Sequence, residues 1–277
     1  MIEDDGGGHR IKYIGPFSDP NDLALLFVTC VPFCVLLYSK SQTLGKLFWM
    51  SAAGFLAYGV YLTNSRGGLL ALLAMIGLWS TRRVGTVATA VGAALLIPTL
   101  FAATRLAGMS AGEESAAGRV DAWYTALQLF LHHPLTGVGL GLFTEYNFLT
   151  AHNSWLLVLA EIGFFGYIAW FSVVGMSMHQ MYVVGHRGQP LSPDGALGLS
   201  MFYAGIGFLV GAFFLSRSYS VMFFLFWGWT AGIYNGARLR DPSIPGVGLK
   251  DFGSRWAGVG VASIPAFYIL VRILLVV

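Results

Sequence analysis

The pair His152-Asn153 stands where a long polar stretch of this 277-residue sequence gives way to an apolar run. A histidine has an ordinary pKa of about 6.5, so its neutral imidazole can accept a proton in a neutral medium. Beside Asn153, and with the carboxylate of Glu161 further along the apolar run, His152 is a candidate general base. The competing interpretation is a histidine that only bonds a loop carbonyl. Glu161 either pairs with an arginine or stays protonated, and we favour a structural ion pair.

Three arginines are candidates for binding an anion. Arg66, Arg119 and Arg217 are each flanked by glycine or serine. A guanidinium group binds phosphate through two parallel hydrogen bonds, so arginines that converge on one place are typical of a phosphate site. Each arginine alone is also compatible with a side chain that reaches from an apolar segment to the membrane surface. Together they predict a site for a phosphate-like anion.

The composition indicates a protein that crosses a membrane several times. Of its residues 56% are hydrophobic and 10% are charged, and the mean hydropathy is +0.68. Soluble domains have about 25% charged residues. The net charge of +3 is small and scattered, which does not indicate a nucleic-acid partner. Cys30 and Cys34 lie in one apolar run, about one helical turn apart, and are interpreted as reduced core residues.

A membrane-spanning helix needs about 20 mostly apolar residues. The sequence therefore predicts an all-α, polytopic helical bundle in the lipid bilayer, with about eight transmembrane helices in a single integral-membrane domain over residues 1–277. The predicted spans are Asp22–Tyr38, Leu44–Leu62, Gly67–Trp79, Val84–Ala103, Ser154–Val174, Ala196–Leu215, Ser220–Ala237 and Ala257–Val277. The second and third spans can each cover only about 25 Å, less than the roughly 30 Å hydrocarbon core. Arg66, at the tip between them, is therefore expected to lie within one leaflet, where a charge is costly and usually functional.

Basic residues predict the orientation, because cytoplasmic loops carry an excess of lysine and arginine. One set of loops contains Lys40, Lys46, Arg82, Arg83, Arg187, Arg238, Arg240, Lys250 and Arg255, and the opposite set contains Arg10, Lys12, Arg66, Arg105, Arg119 and Arg217. The larger set is expected to be cytoplasmic. His152 and three of the arginines, Arg66, Arg119 and Arg217, are then outside, together with a tail over residues 1–20.

The long external loop over residues 104–153 is predicted to contain an amphipathic helix at the membrane interface, from Gly118 to His132. Its apolar residues at helical spacing are Val120, Trp123, Leu127, Phe130 and Leu131, and Pro134 ends it. The apolar stripe is expected to lie against the bilayer or the helix bundle. Arg119 falls in the predicted first turn, where free backbone N–H groups and the helix dipole also favour an anion.

Two other patterns do not predict the sites that they resemble. Gly137, Gly139 and Gly141 follow no strand and depart from the spacing of a dinucleotide-binding loop, so they are expected to permit close packing or a turn. The adjacent side chains of His132 and His133 diverge on a helix and have no carboxylate at ligand spacing. No metal site and no cofactor are predicted.

Several short motifs together resemble the O-antigen ligase and polysaccharide polymerase superfamily of bacterial envelope proteins. In chain order they are Gly15-Pro16-Phe17, Asp19-Pro20-Asn21-Asp22-Leu23-Ala24, Asn64-Ser65-Arg66-Gly67-Gly68, Gly118-Arg119 with Trp123, His133-Pro134-Leu135-Thr136-Gly137-Val138-Gly139, and His152-Asn153 through Leu156 and Glu161 to Gly163. The resemblance extends from Gly15 to Tyr219.

The resemblance implies transfer of a glycan from an undecaprenyl-pyrophosphate carrier to an acceptor hydroxyl, on the outer face of the bacterial inner membrane. Ligases use lipid A-core as the acceptor, and polymerases use another carrier-linked repeat unit. By resemblance, Arg66 and Arg119 would hold the pyrophosphate and His152 would orient or deprotonate the acceptor. Arg217, Asn153 and Glu161 would contribute to substrate binding. Arginines that bind the growing charge of the leaving group stabilise a transition state without a metal ion.

Two other classes stay open at this point. One is a transporter or channel for an anionic solute, although no paired half-helices or inverted repeat are visible in the sequence. The other is a non-catalytic membrane fragment. Members of the superfamily usually have several more spans before the Asp-Pro-Asn-Asp segment, so we expect this chain to be the C-terminal part of a longer architecture.

Overall fold

The computed structural model describes residues 2–4, 9–11, 13–15, 18–94, 109–187, 192–248 and 255–275. The side chains of residues 2–4, 9–10, 109–117 and 187 are not described. Some features of the sequence analysis therefore lie outside the described residues, namely Pro16 and Phe17 of the first motif, residues 95–103 of the fourth predicted span, and Lys12, Arg105 and Lys250.

Helices make up most of the described chain, which confirms the predicted helical fold. In chain order the elements are β1 (Ile2–Asp4), β2 (His9–Ile11), α1 (Pro20–Lys40), α2 (Thr43–Leu62), α3 (Arg66–Val84), α4 (described over residues 86–94), α5 (Met109–His132), a 3₁₀ turn (Phe143–Glu145), α6 (Ser154–Arg187), α7 (Pro193–Ala212), α8 (Val221–Arg240) and α9 (Ala257–Leu274). The short strands β1 and β2 pair antiparallel and are an exception to the all-α expectation.

The chain divides into two compact units. The first comprises Met1–Glu114 with Ser200–Gly211, and the second comprises Ser115–Leu199 with Ala212–Val277. The expectation of one integral-membrane domain over the whole chain stays a prediction.

In the first unit, α1 and α3 begin side by side, and a residue of a sequence motif caps each of them. Asp19 Oδ1 accepts a hydrogen bond from Asn21 N at 2.8 Å, and Ser65 Oγ accepts one from Gly68 N at 3.1 Å. Such caps satisfy N–H groups that lack partners in the first helical turn. Ser65 Oγ also donates to Asn21 Oδ1 at 2.7 Å. A Cβ on Gly68 would lie 2.6 Å from the Ala24 Cβ, so glycine permits the two helices to approach closely.

Small residues also let the first unit's part of α7 pack on α1. A Cβ on Gly207 would lie 2.7 Å from Val28 Cγ1, and one on Gly211 would lie 2.6 Å from Leu25 Cδ1. Close approach at glycine is a common means of helix association in membrane proteins, where lipid gives no hydrophobic drive between helices.

The second unit has a core that α5, α6 and α9 share. Trp123 of α5 and Trp155 of α6 both contact Phe213, with ring centroids 5.6 Å and 6.0 Å apart. Trp123 and Leu127 of the predicted apolar stripe are buried in this core, whereas Leu131 is 52% exposed. Much of the stripe therefore packs against protein.

Four of the described helices are long and apolar enough to cross a membrane, namely α1, α6 over Ser154–His186, α7 and α9. Helices α2, α3 and α8 coincide with further predicted spans without meeting that measure, so the total of about eight stays a prediction. Both α2 and α8 nevertheless expose apolar side chains, such as Leu44 and Leu225. Extensive apolar exposure is typical of surfaces that contact protein or lipid.

Candidate active site at the start of helix α6

His152 and Asn153 directly precede α6, which begins at Ser154 as predicted. Asn153 caps the helix, because its Oδ1 accepts hydrogen bonds from Trp155 N at 3.0 Å and Leu156 N at 3.1 Å. Asn153 is fully buried, and its Nδ2 has no hydrogen-bond partner among the described residues. Its main visible role is therefore to fix the helix start, and a substrate contact stays a prediction.

The backbone of His152 has a left-handed conformation, with φ of 45°. Histidine and asparagine adopt this region more often than most residues other than glycine. The side chain of His152 is partly exposed, whereas Asn153 beside it is buried. The turn therefore places a partly accessible imidazole next to a rigidly capped helix.

Arg217 lies in the turn between α7 and α8, and this turn is bonded to both sides of His152. Arg217 N donates to Ser154 Oγ at 3.0 Å. The hydroxyl of Ser216 donates to Thr150 Oγ1 at 3.1 Å. Arg217 and His152 are 65 positions apart in sequence, but these bonds bring their backbone segments together.

Arg119 lies on α5, close to the point where that helix holds the loop leading to His152. Asn147 Nδ2 donates to Thr125 Oγ1 at 3.2 Å and to Asp121 Oδ2 at 3.4 Å. The segment before His152 is thus joined to α5 on one side and to the Arg217 turn on the other. Within the second unit, three candidate residues belong to mutually bonded segments.

The position of Arg119 within its helix differs from the prediction. Helix α5 begins at Met109 instead of Gly118, so Arg119 lies in the helix interior. Residues 110–117 are rich in alanine and glutamate, which are strong helix formers and extend the helix upstream. Interior N–H groups bond within the helix. The expected contribution of free N–H groups and the helix dipole at Arg119 is therefore wrong.

Glu161 is 3% exposed, and its carboxylate accepts a hydrogen bond from the backbone of the loop that precedes His152. Its Oε1 accepts a hydrogen bond from Phe143 N at 3.3 Å, and its Oε2 has no hydrogen-bond partner in the described part of the chain. The expected ion pair with an arginine is therefore wrong for the described residues. Burial raises the pKa of the nearby Tyr219 phenol, and the charge of Glu161 raises it further.

Helix α6 breaks at Gly163, where φ is 63° and ψ is −164°. The carbonyl of Ala160 accepts a hydrogen bond from Val138 N at 3.0 Å, and that of Glu161 accepts one from Gly139 N at 2.9 Å. The glycine-containing segment after α5 thus supplies donors to carbonyls at the break. This arrangement fixes Glu161 from its backbone as well as from its side chain.

Close packing explains two of the glycines at this break. Gly137 and Gly163 both have positive φ, at 68° and 63°. A Cβ on Gly163 would lie 2.5 Å from Gly137 N and 2.6 Å from the Leu135 carbonyl. The prediction that the Gly137–Gly141 run permits close packing or a turn is confirmed.

Arg66 belongs to the first unit and is the first residue of α3. Its side chain is exposed, while the preceding Ser65 is buried and caps the helix. A helix start offers N–H groups and a positive dipole end to an anion, which suits an adjacent guanidinium that also binds anions. The predicted proximity of Arg66 to His152 stays a prediction.

The sequence analysis assigned no role to Ser154, which lies within the His152–Leu156 motif, or to Asn147, although both hold candidate residues in place. Their bonds join segments 63 and 22 positions apart, so no local pattern reveals them. The one sequence pattern that could have indicated a bonded turn at Arg217 is the serine at every second position, at Ser216, Ser218 and Ser220.

The histidine pair lies at the end of α5, of which His132 is the last residue. His132 Nδ1 lies 2.7 Å from the Gln128 carbonyl oxygen, and His132 and His133 are both exposed. No group of three or more potential metal ligands occurs among the residues that the structure describes. Cys30 and Cys34 are free thiols.

Apolar helices of membrane length and a polar site at the start of one of them define a polytopic membrane protein with a candidate anion site. Residues 51–171 match the family model described as O-antigen ligase, and this match confirms the predicted resemblance to the O-antigen ligase and polysaccharide polymerase superfamily. The matched range includes Arg66, Arg119 and His152 and stops before Arg217. The match and the four apolar helices indicate a bacterial membrane protein. A comparison with curated proteins found no match.

Proposed function

We propose that this chain is a membrane glycosyltransferase of the O-antigen ligase or polymerase type, or the part of one that contains its active site. It would move a glycan from an undecaprenyl-pyrophosphate carrier to an acceptor hydroxyl on lipid A-core or on another repeat unit. The reaction would take place on the extracytoplasmic face of the bacterial inner membrane. The strongest support is the partly exposed His152 just before a capped helix start. Its sequence neighbours Ser154 and Thr150 bond to the turn that contains Arg217.

In this proposal His152 accepts the proton of the acceptor hydroxyl as that oxygen attacks the first sugar carbon. A new glycosidic bond forms, and the bond from that carbon to the pyrophosphate oxygen breaks. The leaving group gains negative charge, which Arg66 and Arg119 would bind, with Arg217 as a further contact. Binding of charge that develops in the transition state lowers the barrier. No step requires a resident metal ion.

The test is the envelope glycan pattern of a null strain that carries variants of the complete protein. His152→Asn should reduce transfer by about 10²–10⁴-fold, which is the usual contribution of a general base. Asparagine is the informative replacement because it tolerates the left-handed backbone and removes only the imidazole. Arg66→Lys should also lose most transfer, since an ammonium group cannot reproduce the two-pronged grip of guanidinium on phosphate.

Arg82→Lys is the matched control, because Arg82 is an exposed arginine at the other end of the same helix. It should leave the glycan pattern normal. A chelator should leave wild-type transfer unchanged, because arginines are assigned to the leaving-group charge. Normal glycan patterns in both His152→Asn and Arg66→Lys strains, at normal protein abundance, would refute the proposed mechanism.

A further inference from the structure

Both backbone hydrogen-bonding groups of Arg217 bind serine hydroxyls. Arg217 N donates to Ser154 Oγ at 3.0 Å, and the Arg217 carbonyl accepts from Ser220 Oγ at 3.2 Å. A turn residue held at both its N–H and its C=O has little freedom to move. The place from which the Arg217 side chain starts is therefore set by two hydroxyl groups.

Ser154 makes three hydrogen bonds to the turn that contains Arg217. Its hydroxyl accepts from Arg217 N and donates to the Leu215 carbonyl at 2.7 Å. Ser218 Oγ in turn donates to the Ser154 carbonyl at 2.8 Å. Ser154 and Ser218 are both fully buried, so water does not compete for these bonds.

The position of Ser154 links this turn to the candidate base. Ser154 is the first residue of α6 and follows His152 by two positions. Asn153, between them, is fully buried and caps the helix. Because His152 is fixed to this helix start, any movement of the Arg217 turn away from Ser154 also moves the turn away from His152.

A hydroxyl at this position is chemically required. A serine hydroxyl can donate one hydrogen bond and accept others at the same time, whereas alanine can do neither. Ser154→Ala would leave the Arg217 N–H and the Leu215 carbonyl without this partner, and unpaired buried polar groups are strongly disfavoured. The turn would then move to satisfy them elsewhere.

We propose that Ser154 is a positioning residue, which holds the Arg217 turn against the start of α6 and so sets the place of Arg217 relative to His152. Its functional part rests on the proposed glycan transfer. The hydroxyl touches no substrate in this proposal and acts only through the turn.

The test compares Ser154→Ala with Ser172→Ala in the purified full chain. Ser172 is a matched control on the same helix, since it is fully buried and its hydroxyl has no hydrogen-bond partner among the described residues. Hydrogen exchange of the segment 213–220 measures how firmly the turn is held. We expect faster exchange there in Ser154→Ala and wild-type exchange in Ser172→Ala.

Kinetics test the functional part. A displacement of a binding group by about 1 Å can cost on the order of 10²-fold in rate. We expect Ser154→Ala to lower kcat/KM for the lipid-linked donor by about tenfold to a hundredfold. The KM for the acceptor should stay unchanged, because Arg217 is assigned to the donor. Ser218→Ala should show the same exchange and kinetic pattern, and it decides the result if Ser154→Ala does not accumulate.

The outcomes separate the possibilities. Unchanged exchange in segment 213–220 would overturn the proposal, and so would faster exchange with a donor kcat/KM equal to that of Ser172→Ala. Equal losses for donor and acceptor would show general destabilisation and would also overturn it. A wild-type protein that transfers no glycan would refute the proposed function, while the exchange result would still decide whether Ser154 holds the turn.

Discussion

At the scale of single residues, the two members of the motif His152-Asn153 have different environments. Asn153 has no exposed surface and uses its side-chain oxygen to bind Trp155 N and Leu156 N. His152 has a left-handed backbone and a partly exposed side chain. The asparagine therefore supports the helix, and the histidine is the more exposed member of the pair.

Asn153→Ala should destabilise the protein by about 0.5–2 kcal/mol, the usual loss for a helix N-cap. Asn153→Ser should retain most of the stability, because serine also accepts from the first-turn N–H groups. The measurement is the Tm of each variant purified in the same detergent. Equal Tm values for the alanine and serine variants would show that the cap contributes nothing at this position.

At the scale of elements, the break in α6 decides how the site is built. Gly163 interrupts the helix, and the carbonyls of Ala160 and Glu161 bond to Val138 N and Gly139 N. The segment after α5 is thereby fixed against α6. The same segment leads into the loop that contains Phe143, whose N–H binds the Glu161 carboxylate.

Gly163→Ala should destabilise the protein severely. The backbone angles at Gly163, φ of 63° and ψ of −164°, are favourable only for glycine. Another residue held in this conformation lowers the free energy of unfolding by about 1–3 kcal/mol. The added Cβ would also lie 2.5 Å from Gly137 N, where backbone cannot yield as a side chain can. We expect a loss of folded protein, measured as the monodisperse fraction and the Tm.

Gly232→Ala is the matched control for this substitution. Gly232 lies inside α8, and apart from its chain neighbours and the helix's own backbone no described atom would lie within 4 Å of its Cβ. Alanine in a helix interior is favoured over glycine by about 0.5–1 kcal/mol, so this variant should be as stable as wild type or more stable. A Gly163→Ala protein with the same Tm as Gly232→Ala would contradict the structural requirement for the break.

At the scale of the whole molecule, exposed apolar surface and charge suggest how the chain is placed in a membrane. Only 11% of the apolar 18-residue helix α9 is buried within the protein. The predicted cytoplasmic loops have more basic residues than the opposite set. At the predicted cytoplasmic ends of α7 and α8, Arg240 Nε lies 2.7 Å from Asp194 Oδ2. The orientation itself is a prediction.

Cysteine labelling in a background without Cys30 and Cys34 tests that orientation. Thr144→Cys should react with a membrane-impermeant thiol reagent applied from outside, because Thr144 is exposed in the loop before His152. Gln42→Cys, exposed between α1 and α2, should react only after the membrane is opened. The reverse pattern would place His152 on the cytoplasmic side and would contradict a reaction outside the membrane.

The sequence by itself determined the class of the protein and much of its local structure. The starts of α1, α3 and α6 follow Asp19, Ser65 and Asn153, each of which caps its helix with its own side chain. Long apolar runs predicted the membrane-length helices, and the motifs from Gly15 to Gly163 predicted the family. These features are local, because a cap or an apolar run acts on residues within a few positions in sequence.

Only the tertiary structure decided how the candidate residues are held. Glu161 binds the backbone of Phe143 instead of an arginine, and Ser154 binds the Arg217 turn. The upstream start of α5 placed Arg119 in a helix interior. The first two depend on bonds between positions 18 and 63 residues apart, which no local pattern specifies. Which buried polar group meets which partner depends on the packing of whole helices, since burial makes an unpaired polar group costly.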